Sequence, residues 1–267
     1  MSKQIVYKFR TWSEENHRKC LKEKEIFFSS PADFNDPFDC AINFRYDLLD
    51  EKEKLQKYRS MIKEDNPHLN KKQILKLAKQ WYGKGLLTKE KHMEMNENTF
   101  KNITSKQVGV LSLTKVKSPI LLWSHYADYH QGFCIGYDRV ALENFLIENF
   151  NTQALVPYWF DVKYQSEYPI HIPHRNLSDL DYVTLPLKIK FNIWDYEEEY
   201  RIIMVGKTKI TVPIPKSIIA EISLGCRISD GDKKGILEIV EEKKFNVPIY
   251  QAKKHIEKFE LEFEKIQ

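Results

Sequence analysis

The sequence predicts an α+β fold with a mixed or antiparallel sheet as its core. We expect one domain over residues 1–267, with a helical insertion at residues 48–105. Short runs of β-branched and aromatic residues, typical of strands, occur before residue 30 and again after residue 107. Between them, Leu55, Tyr58 and Ile62 recur at helical spacing. No internal repeat or low-complexity linker separates the two patterns, which favours a single domain.

The elements before the insertion are two strands and one helix. Ser13 is predicted to cap that helix because its hydroxyl can accept a hydrogen bond from the first turn, and Glu14 and Glu15 follow where the helix dipole favours negative charge. The loop after the second strand carries two prolines around an Asn-Asp pair, which disfavours regular structure. The predicted elements are a strand at 4–9, a helix at 13–22, a strand at 25–29 and an ordered loop at 30–39.

Prolines and glycines set the remaining boundaries. Breaks inside the insertion are predicted at Pro67 and at Gly83-Lys84-Gly85. Pro119 is suited to the first turn of a short helix, and Pro186 disfavours one continuous helix through 179–192. The other predicted strands lie at 108–113, 132–137, within 154–164, after Trp194, and at 210–212, 221–224 and 247–252. The other predicted helices lie at 119–128, just beyond Val140, and at 233–244.

Composition and cysteine usage indicate a globular protein of a reducing compartment. The chain is 42% hydrophobic and 30% charged, and its net charge of +4 is too small to identify nucleic acid as the partner. The cysteines Cys20, Cys40, Cys134 and Cys226 form no C-x-x-C pair, as expected for reduced thiols. The N-terminus lacks the apolar core of a signal peptide, and no apolar run approaches the ~20 residues of a membrane span. We therefore expect a cytoplasmic protein without a membrane partner.

The most informative segment runs from Trp194 to Ile203, where three consecutive glutamates lead into an apolar run that predicts a buried strand. Because side chains alternate along a strand, Glu197, Glu199 and Arg201 are expected on one face. Carboxylates beside a guanidinium can be held ionised and aimed at a substrate hydroxyl. They can equally form a structural salt bridge at a strand edge, and the residues alone leave both interpretations open.

The two N-terminal strands supply further candidate binding residues. The first contains Tyr7 and is followed by Arg10, and the second ends at Ser29 and Ser30. Arginine binds phosphate through a two-pronged guanidinium, and serine hydroxyls can orient the phosphate by hydrogen bonds. A surface arginine and a serine turn before a proline are the simpler interpretation of the same residues.

The proline-bounded loop that follows contains Phe34, Asn35 and Asp36. Asn35 and Asp36 are residues that close Asx turns, so a purely structural role accounts for them. Phe34 can also stack on a planar ring and form part of a pocket wall. The two roles are compatible.

A third segment concentrates aromatic side chains with polar tips, among them Trp123, His125 and Tyr126. They can contact a ligand, although a histidine in such a helix is more often a packing residue. The histidines show no H-E-x-x-H spacing, which argues against zinc. Neither a P-loop, nor G-x-G-x-x-G, nor G-x-S-x-G occurs, which argues against the common nucleotide-binding loops and ordinary serine hydrolases.

Phe34-Asn35-Asp36-Pro37-Phe38-Asp39 and Trp194-x-x-Glu197-x-Glu199-x-Arg201 resemble the signatures of a bacterial and phage family that is labelled a domain of unknown function. The resemblance covers nearly the whole chain. Its other segments are 7–10, 28–29, 111–114, 122–127, 132–135 and 222–225. It is specific for the family but implies no activity.

A strand followed by a basic residue, a serine-bearing strand and a late Glu-x-Glu strand also resemble, more weakly, the layout of ADP-ribosyltransferases. This resemblance implies an ADP-ribosyltransferase-like sheet, NAD as the substrate and no metal. Arg10 would hold a phosphate or ribose of NAD, and Ser29 or Ser30 would brace the site. Glu199 would bond the 2′-hydroxyl of the nicotinamide ribose, and Glu197 would activate the acceptor. The serines follow the arginine sooner than in that group, and no Ser-Thr-Ser run is present.

The leading hypothesis from this resemblance is an NAD-handling enzyme, a toxin or phage-defence effector that transfers ADP-ribose to a macromolecule or cleaves NAD. Its acceptor would be a protein or a nucleic acid, and a cognate regulator or antitoxin is a further option. Phe34, Trp123 and Tyr126 would line the nicotinamide pocket.

Two alternatives remain open. A non-catalytic nucleic-acid-binding or partner-binding module of a defence system would use Glu197, Glu199 and Arg201 as a structural ion-pair network. A metal-dependent nuclease would gather Asp36, Asp39 and Glu199 around a divalent ion. The structure can separate the three hypotheses. The catalytic hypothesis requires Arg10 and Glu199 to line one cleft, whereas the binding module allows them to lie apart. The nuclease requires carboxylates that converge on one point.

Overall fold

The computed structural model describes residues 4–152, 154–172 and 179–267, and over these residues the predicted α+β class is confirmed. The helices are α1 Glu15–Lys22, α2 Glu51–Asp65, α3 Lys71–Gly83, α4 Glu90–Gln107, α5 Ile120–Tyr126, α6 Arg139–Phe150, α7 Asp179–Thr184 and α8 Asp230–Glu242. The strands are β1 Ile5–Arg10, β2 Glu25–Phe28, β3 Asn43–Phe44, β4 Val108–Thr114, β5 Phe133–Asp138, β6 Val156–Asp161, β7 Lys163–Gln165, β8 Ile170–His171, β9 Ile189–Phe191, β10 Glu199–Val205, β11 Ile210–Pro213, β12 Ile219–Leu224, β13 Ile249–Lys254 and β14 Leu261–Lys265. Over the same residues, the helices are too short or too polar to cross a membrane.

The chain forms two compact units. The first consists of Met1–Asp33, Lys106–Val162 and Ile193–Gln267, and the second of Phe34–Ser105 and Lys163–Asn192. Helices α2, α3 and most of α4 lie in the segment where the helical insertion is predicted, and the second unit adds 163–192 to it. The single domain with an insertion at 48–105 stays a prediction.

The first unit contains an eight-stranded mixed sheet in the order β14-β13-β12-β5-β1-β4-β10-β6. Only the β12–β13 pair is parallel among these strands, so the core of the sheet is antiparallel. Tyr200, Ile202 and Met204 of β10 point to the larger core, which helices α1, α6 and α8 cover. The opposite face carries a smaller core around Phe9 and Trp123, and α5 contributes to it.

Two of the helices in the second unit, α2 and α3, have capped N-termini. Asp50 and Glu53 form a capping box at the start of α2, and Asn70 and Gln73 form one at the start of α3. Each box satisfies backbone N–H groups that the first helical turn leaves free. The buried residues of this unit are Ile42, Phe44, Tyr46, Leu49, Tyr58, Ile62, Ile74, Ala78, Leu87 and Phe100.

Several helix boundaries differ from the prediction. Helix α8 spans Asp230–Glu242, where 233–244 was predicted, because the Ser229 hydroxyl accepts a hydrogen bond from the Asp232 N–H and caps the helix earlier. Helix α1 begins at Glu15, and Glu14 rather than Ser13 is its N-cap, because the Glu14 carbonyl oxygen accepts the backbone hydrogen bonds of His17 and Arg18. Helix α5 ends at Tyr126 because residues 128–130 all adopt a left-handed backbone conformation. The predicted break at Pro186 is confirmed, since a 3₁₀ turn at Leu185–Leu187 separates α7 from β9.

Strand β14 at the sheet edge was not predicted. The signal is nevertheless present, because Leu261 and Phe263 alternate with Glu260, Glu262 and Glu264 at the period of a half-buried strand. The charged residues of this edge strand disfavour pairing with a strand of another chain.

The protein is expected to lose stability as the pH falls below about 6.5, the ordinary value for histidine. His171 is 9% exposed, its Nδ1 has no hydrogen-bond partner within the described structure, and its ring packs edge-on against Phe44 and Tyr182. Burial, and next the positive charge of Lys57, lower the pKa of this imidazole. The unfolded chain therefore binds this proton more readily than the folded one, so protonation favours unfolding between the ordinary pKa and the lowered one.

Urea denaturation at pH 7.5 and pH 5.5 measures this loss. His171→Phe is expected to reduce the difference in unfolding free energy between the two pH values, whereas His68→Phe at an exposed position leaves it unchanged. An unaltered difference in His171→Phe would assign the pH dependence to other groups.

Candidate functional site

A polar row of side chains crosses five strands on the sheet face opposite the larger core. Glu221 of β12 pairs with Gly136 of β5, Gly136 with Tyr7 of β1, Tyr7 with Thr114 of β4, and Thr114 with Glu199 of β10. Directly paired residues of antiparallel strands share a face, so strand register alone aligns this row. A carboxylate stands at each end of it.

At one end of the row, Glu199 and Arg201 form a buried ion pair. Arg201 Nε donates to Glu199 Oε1 over 2.7 Å, and Nη2 donates to Oε2 over 3.0 Å. The arginine is 0% exposed and the glutamate 5%. Because they are two residues apart on β10, they lie side by side on one face, as predicted. Both carboxylate oxygens face the guanidinium, which offsets part of the cost of burying its charge.

Glu197 reaches the same region by a different route from the one predicted. A 3₁₀ turn ends at Glu197, and Glu198 has a left-handed φ of +39°, so the alternation of the strand begins only at Glu199. Glu197 is nevertheless 4% exposed, and the Tyr126 hydroxyl donates to its Oε1 over 2.8 Å. The Thr114 hydroxyl donates to its backbone oxygen. Two buried carboxylates therefore flank the kink before β10.

A chain of neighbouring aromatic rings begins at Tyr126, which donates the hydrogen bond to Glu197. The His125 ring lies 6.2 Å from the rings of Tyr126 and Trp194, and the Trp194 ring lies 6.1 Å from that of Tyr196. His125 is exposed, and the other three rings are partly buried. We call Glu197, Glu199, Arg201 and Tyr126 the carboxylate cluster. Its planar neighbours can contact a flat ligand ring.

A second group, at the opposite end of the row, was missed by the sequence analysis. The Lys117 ammonium pairs with Glu221 and lies 4.2 Å from the ring centroid of Tyr250 and 4.9 Å from that of Phe263. Burial, and next the Glu221 carboxylate, raise the pKa of Tyr7. Lys117 lies in the turn after β4 and Glu221 in a strand far along the chain, so only the strand order reveals the pair.

Arg10 is not brought to the carboxylate cluster. It pairs with Phe133, whose side chain belongs to the larger core, so Arg10 lies on the sheet face opposite Glu199. There it neighbours Cys20 and His17. Burial raises the pKa of the Cys20 thiol to about 12, although the positive charge of Arg10 acts to lower it. Burial, and next the charge of Arg10, lower the pKa of the His17 imidazole. The face opposite Glu199 therefore holds a different set of titratable groups.

The two serines also lie apart from the cluster. Ser29 pairs with Val110, four residues before Thr114 on β4, and its hydroxyl donates to the Val110 carbonyl oxygen over 3.1 Å. Ser30 is buried, and its hydroxyl accepts a hydrogen bond from the Ala32 N–H over 3.3 Å. Residues 34–36 belong to the second unit. Of the candidates named from sequence, the structure thus places Tyr7, Trp123, Tyr126, Glu197 and Glu199 on or over one sheet face, with His125 exposed beside Tyr126.

In the proline-bounded loop, Asp36 closes an Asx turn. Its Oδ1 accepts a hydrogen bond from the Phe38 N–H over 2.9 Å, whereas Asn35 is exposed. The Asp39 carboxylate lies 3.7 Å from the Lys190 ammonium. Among the residues that the structure describes, no group of three or more His, Cys, Asp or Glu side chains is arranged to hold a metal ion.

Residues 122–202 match the family model described as "Protein of unknown function (DUF2971)". The predicted resemblance to a domain of unknown function is thereby confirmed for this segment, which contains Trp123, His125, Tyr126 and the glutamates and arginine of the carboxylate cluster. The family description assigns no activity to these residues. Comparison with curated proteins gave no match, and comparison with solved structures gave none.

Glu199→Gln is expected to destabilise the protein. The amide keeps the shape of the carboxylate but removes the negative charge that faces the fully buried Arg201 guanidinium, and loss of one partner of a buried ion pair costs roughly 3 kcal/mol. Glu238→Gln is the matched control, because Glu238 pairs with Lys234 on the exposed surface of α8. Chemical denaturation that shows equal stability for the two variants would contradict a structural role of the pair.

Asp36→Ala is expected to lower the unfolding free energy by about 1 kcal/mol, because it deletes the acceptor of the Phe38 N–H. Asn35→Ala, one residue earlier and without this hydrogen bond, is expected to leave stability unchanged. Thermal denaturation of both variants tests the assignment. A larger loss for Asn35→Ala would show that the turn depends on the amide.

Proposed function

We propose that the protein is an NAD-handling enzyme of the ADP-ribosyltransferase kind, in which Glu197 is the catalytic carboxylate. The observation that carries this proposal is the 2.8 Å hydrogen bond by which Tyr126 orients the buried Glu197 carboxylate beside exposed and half-buried aromatic rings. A fixed carboxylate in a water-poor environment stabilises positive charge that develops in a transition state, because it needs no reorganisation at the moment of reaction.

The reaction places two demands on such a carboxylate. The bond between the nicotinamide nitrogen and C1′ of the ribose breaks, nicotinamide leaves with the electron pair, and positive charge develops at C1′. The acceptor then bonds to C1′ and gives up a proton. A carboxylate near C1′ can stabilise the charge and accept that proton. With water as the acceptor, the same steps cleave NAD.

Glu199 is better suited to positioning than to this chemistry. Both of its carboxylate oxygens face the Arg201 guanidinium, whose positive charge weakens the attraction between Glu199 and a developing cation. The pair instead fixes the first residues of β10, immediately after the kink that carries Glu197. We therefore assign Glu199 and Arg201 the role of holding Glu197 in place.

Ligand contacts are proposed for the residues that share the face of the cluster. Tyr7 lies in the polar row, and the partly buried Tyr126 packs on the smaller core on the same side of the sheet. Trp123 is 0% exposed, so it supports these residues from beneath and does not touch a ligand itself. Arg10 has no part in this version of the site, because it lies on the opposite face. A role as a toxin or phage-defence effector, and a protein or nucleic-acid acceptor, rest on the resemblance to ADP-ribosyltransferases alone.

The placement of Arg10 also favours a second candidate, a non-catalytic module that binds nucleic acid or a protein partner. In such a module the Glu199–Arg201 ion pair has a structural role only. Arg10, on the opposite face, then has no role in common with this pair. The two candidates differ in one measurable property, the turnover of NAD.

NAD turnover is expected to fall by about a hundredfold or more in Glu197→Gln, because the uncharged amide cannot stabilise the developing cation. Tyr126→Phe is expected to lower turnover less, since it removes only the hydrogen bond that orients the carboxylate. Arg10→Lys, on the opposite face, is the matched control and should retain full turnover. Release of nicotinamide from labelled NAD, with and without cell extract, measures all three.

Melting temperatures of the variants separate a lost reaction from a lost fold. Full turnover in a folded Glu197→Gln variant would reject the catalytic role of this residue. No turnover by the unmutated protein in either condition would favour the non-catalytic module.

A further inference from the structure

A cavity of about 510 Å³ lies in the first unit, where the loop after α5, the turn after β12 and the β13–β14 hairpin meet. Ile120, His130, Cys226, Arg227 and the hairpin residues 254–261 line it. The volume is that of a small-molecule site. None of the lining residues belongs to the carboxylate cluster, so the cavity is a separate feature of the fold.

Three cations line this cavity without a carboxylate partner. Within the described structure, Arg227, Lys254 and Lys258 form no ion pair, although the adjacent Lys253 pairs with Glu264 on the same hairpin. Like charges that line one cavity repel, and binding of an anion in the cavity relieves this repulsion.

The imidazole of His130 lies among these charges. Its Nδ1 is buried and has no hydrogen-bond partner in the described structure. Burial, and next the charges of Arg227 and Lys254, lower the pKa of His130. Glu257 and Glu260 also line the cavity, but the charges that shift the pKa of His130 are those of the two cations. A buried nitrogen without a partner is costly unless a ligand or water satisfies it.

The loop that presents His130 is held in a strained conformation. Residues 128–130 are all left-handed, with φ between +48° and +71°, a region that residues other than glycine rarely adopt. The His130 N–H donates to the Trp123 carbonyl oxygen over 3.1 Å, and its own carbonyl oxygen accepts from the Arg227 N–H over 3.0 Å. Gly225 packs so closely that a Cβ there would lie 2.1 Å from this oxygen. Strain of this kind is retained where the surrounding structure enforces it, and it concentrates at binding sites.

We propose that this cavity binds a small phosphorylated molecule, whose phosphate lies between Arg227 and Lys254 beside His130. The guanidinium offers a two-pronged contact to phosphate, and the ammonium adds a point charge. Ile120 provides an apolar wall, and Phe259 at the hairpin tip is 96% exposed and available to a planar or apolar part of the ligand. The proposal does not depend on turnover of NAD.

Calorimetric titration of the full chain with inorganic pyrophosphate, at constant ionic strength, tests the charged part of the site. Saturable binding of one pyrophosphate per chain is expected. Arg227→Gln and Lys254→Gln should each weaken it at least about tenfold, the loss of one charge-assisted contact. Lys253→Gln is the matched control, since it removes the same charge one residue away from a lysine that is already paired with Glu264.

Three outcomes would overturn the proposal. The first is the absence of saturable pyrophosphate binding. The second is equal weakening by Lys253→Gln and Lys254→Gln, which would indicate general attraction to a basic surface, and the third concerns AMP and adenosine, as given below. Arg227→Lys keeps the charge but loses the two-pronged geometry, so it should bind with intermediate affinity, and circular dichroism confirms that each variant is folded. Titration with AMP and adenosine adds a direct comparison, in which equal affinity for the two would also reject a phosphate site.

Discussion

The guanidinium of Arg201, which has no exposed surface, is the main constraint on the sheet face that carries the candidate site. Removing a guanidinium from water is costly, and an oriented carboxylate must compensate for it. Glu199 does so from the same strand and face, which fixes both residues at the start of β10. The same glutamate ends the polar row, and the left-handed Glu198 turns the chain so that Glu197 enters from a different direction. The carboxylate cluster is therefore built around the neutralisation of one buried charge.

Alternation along a strand explains why Glu199 and Arg201 could be paired from the sequence, whereas Arg10 could not be placed. An i, i+2 relation within one strand needs no knowledge of the fold. Arg10 lies on another strand, and whether it shares a face with Glu199 depends on register, where a shift of one residue exchanges the two faces. The order of basic, serine and acidic residues along the chain does not reveal which of them share a sheet face.

Local signals predicted most elements and were present also for β14, which was not predicted, whereas pairings between distant segments have no local signal. The 3₁₀ break at Pro186 follows from proline, whereas the cap of helix α8 at Ser229 was not predicted and the helix begins before the predicted residue 233. The Asx turn of the loop was predicted for Asn35 and Asp36, and Asp36 supplies its acceptor. The Lys117–Glu221 pair lay beyond local reasoning, because β5 and β1 separate β12 from β4 in the sheet and no spacing in the sequence encodes that order.

The second unit is built from two separate chain segments, and this affects how it forms during translation. Its first segment carries β3 and the three long helices, but β8, which pairs with β3, and Lys190, which neutralises Asp39, are translated much later. At ordinary ribosome speeds this delay is on the order of ten seconds. During that interval Phe44 lacks two of its ring contacts, those with His171 and Tyr182. A nascent chain of this protein must therefore shield an incomplete apolar surface while the ribosome completes a large part of the other unit.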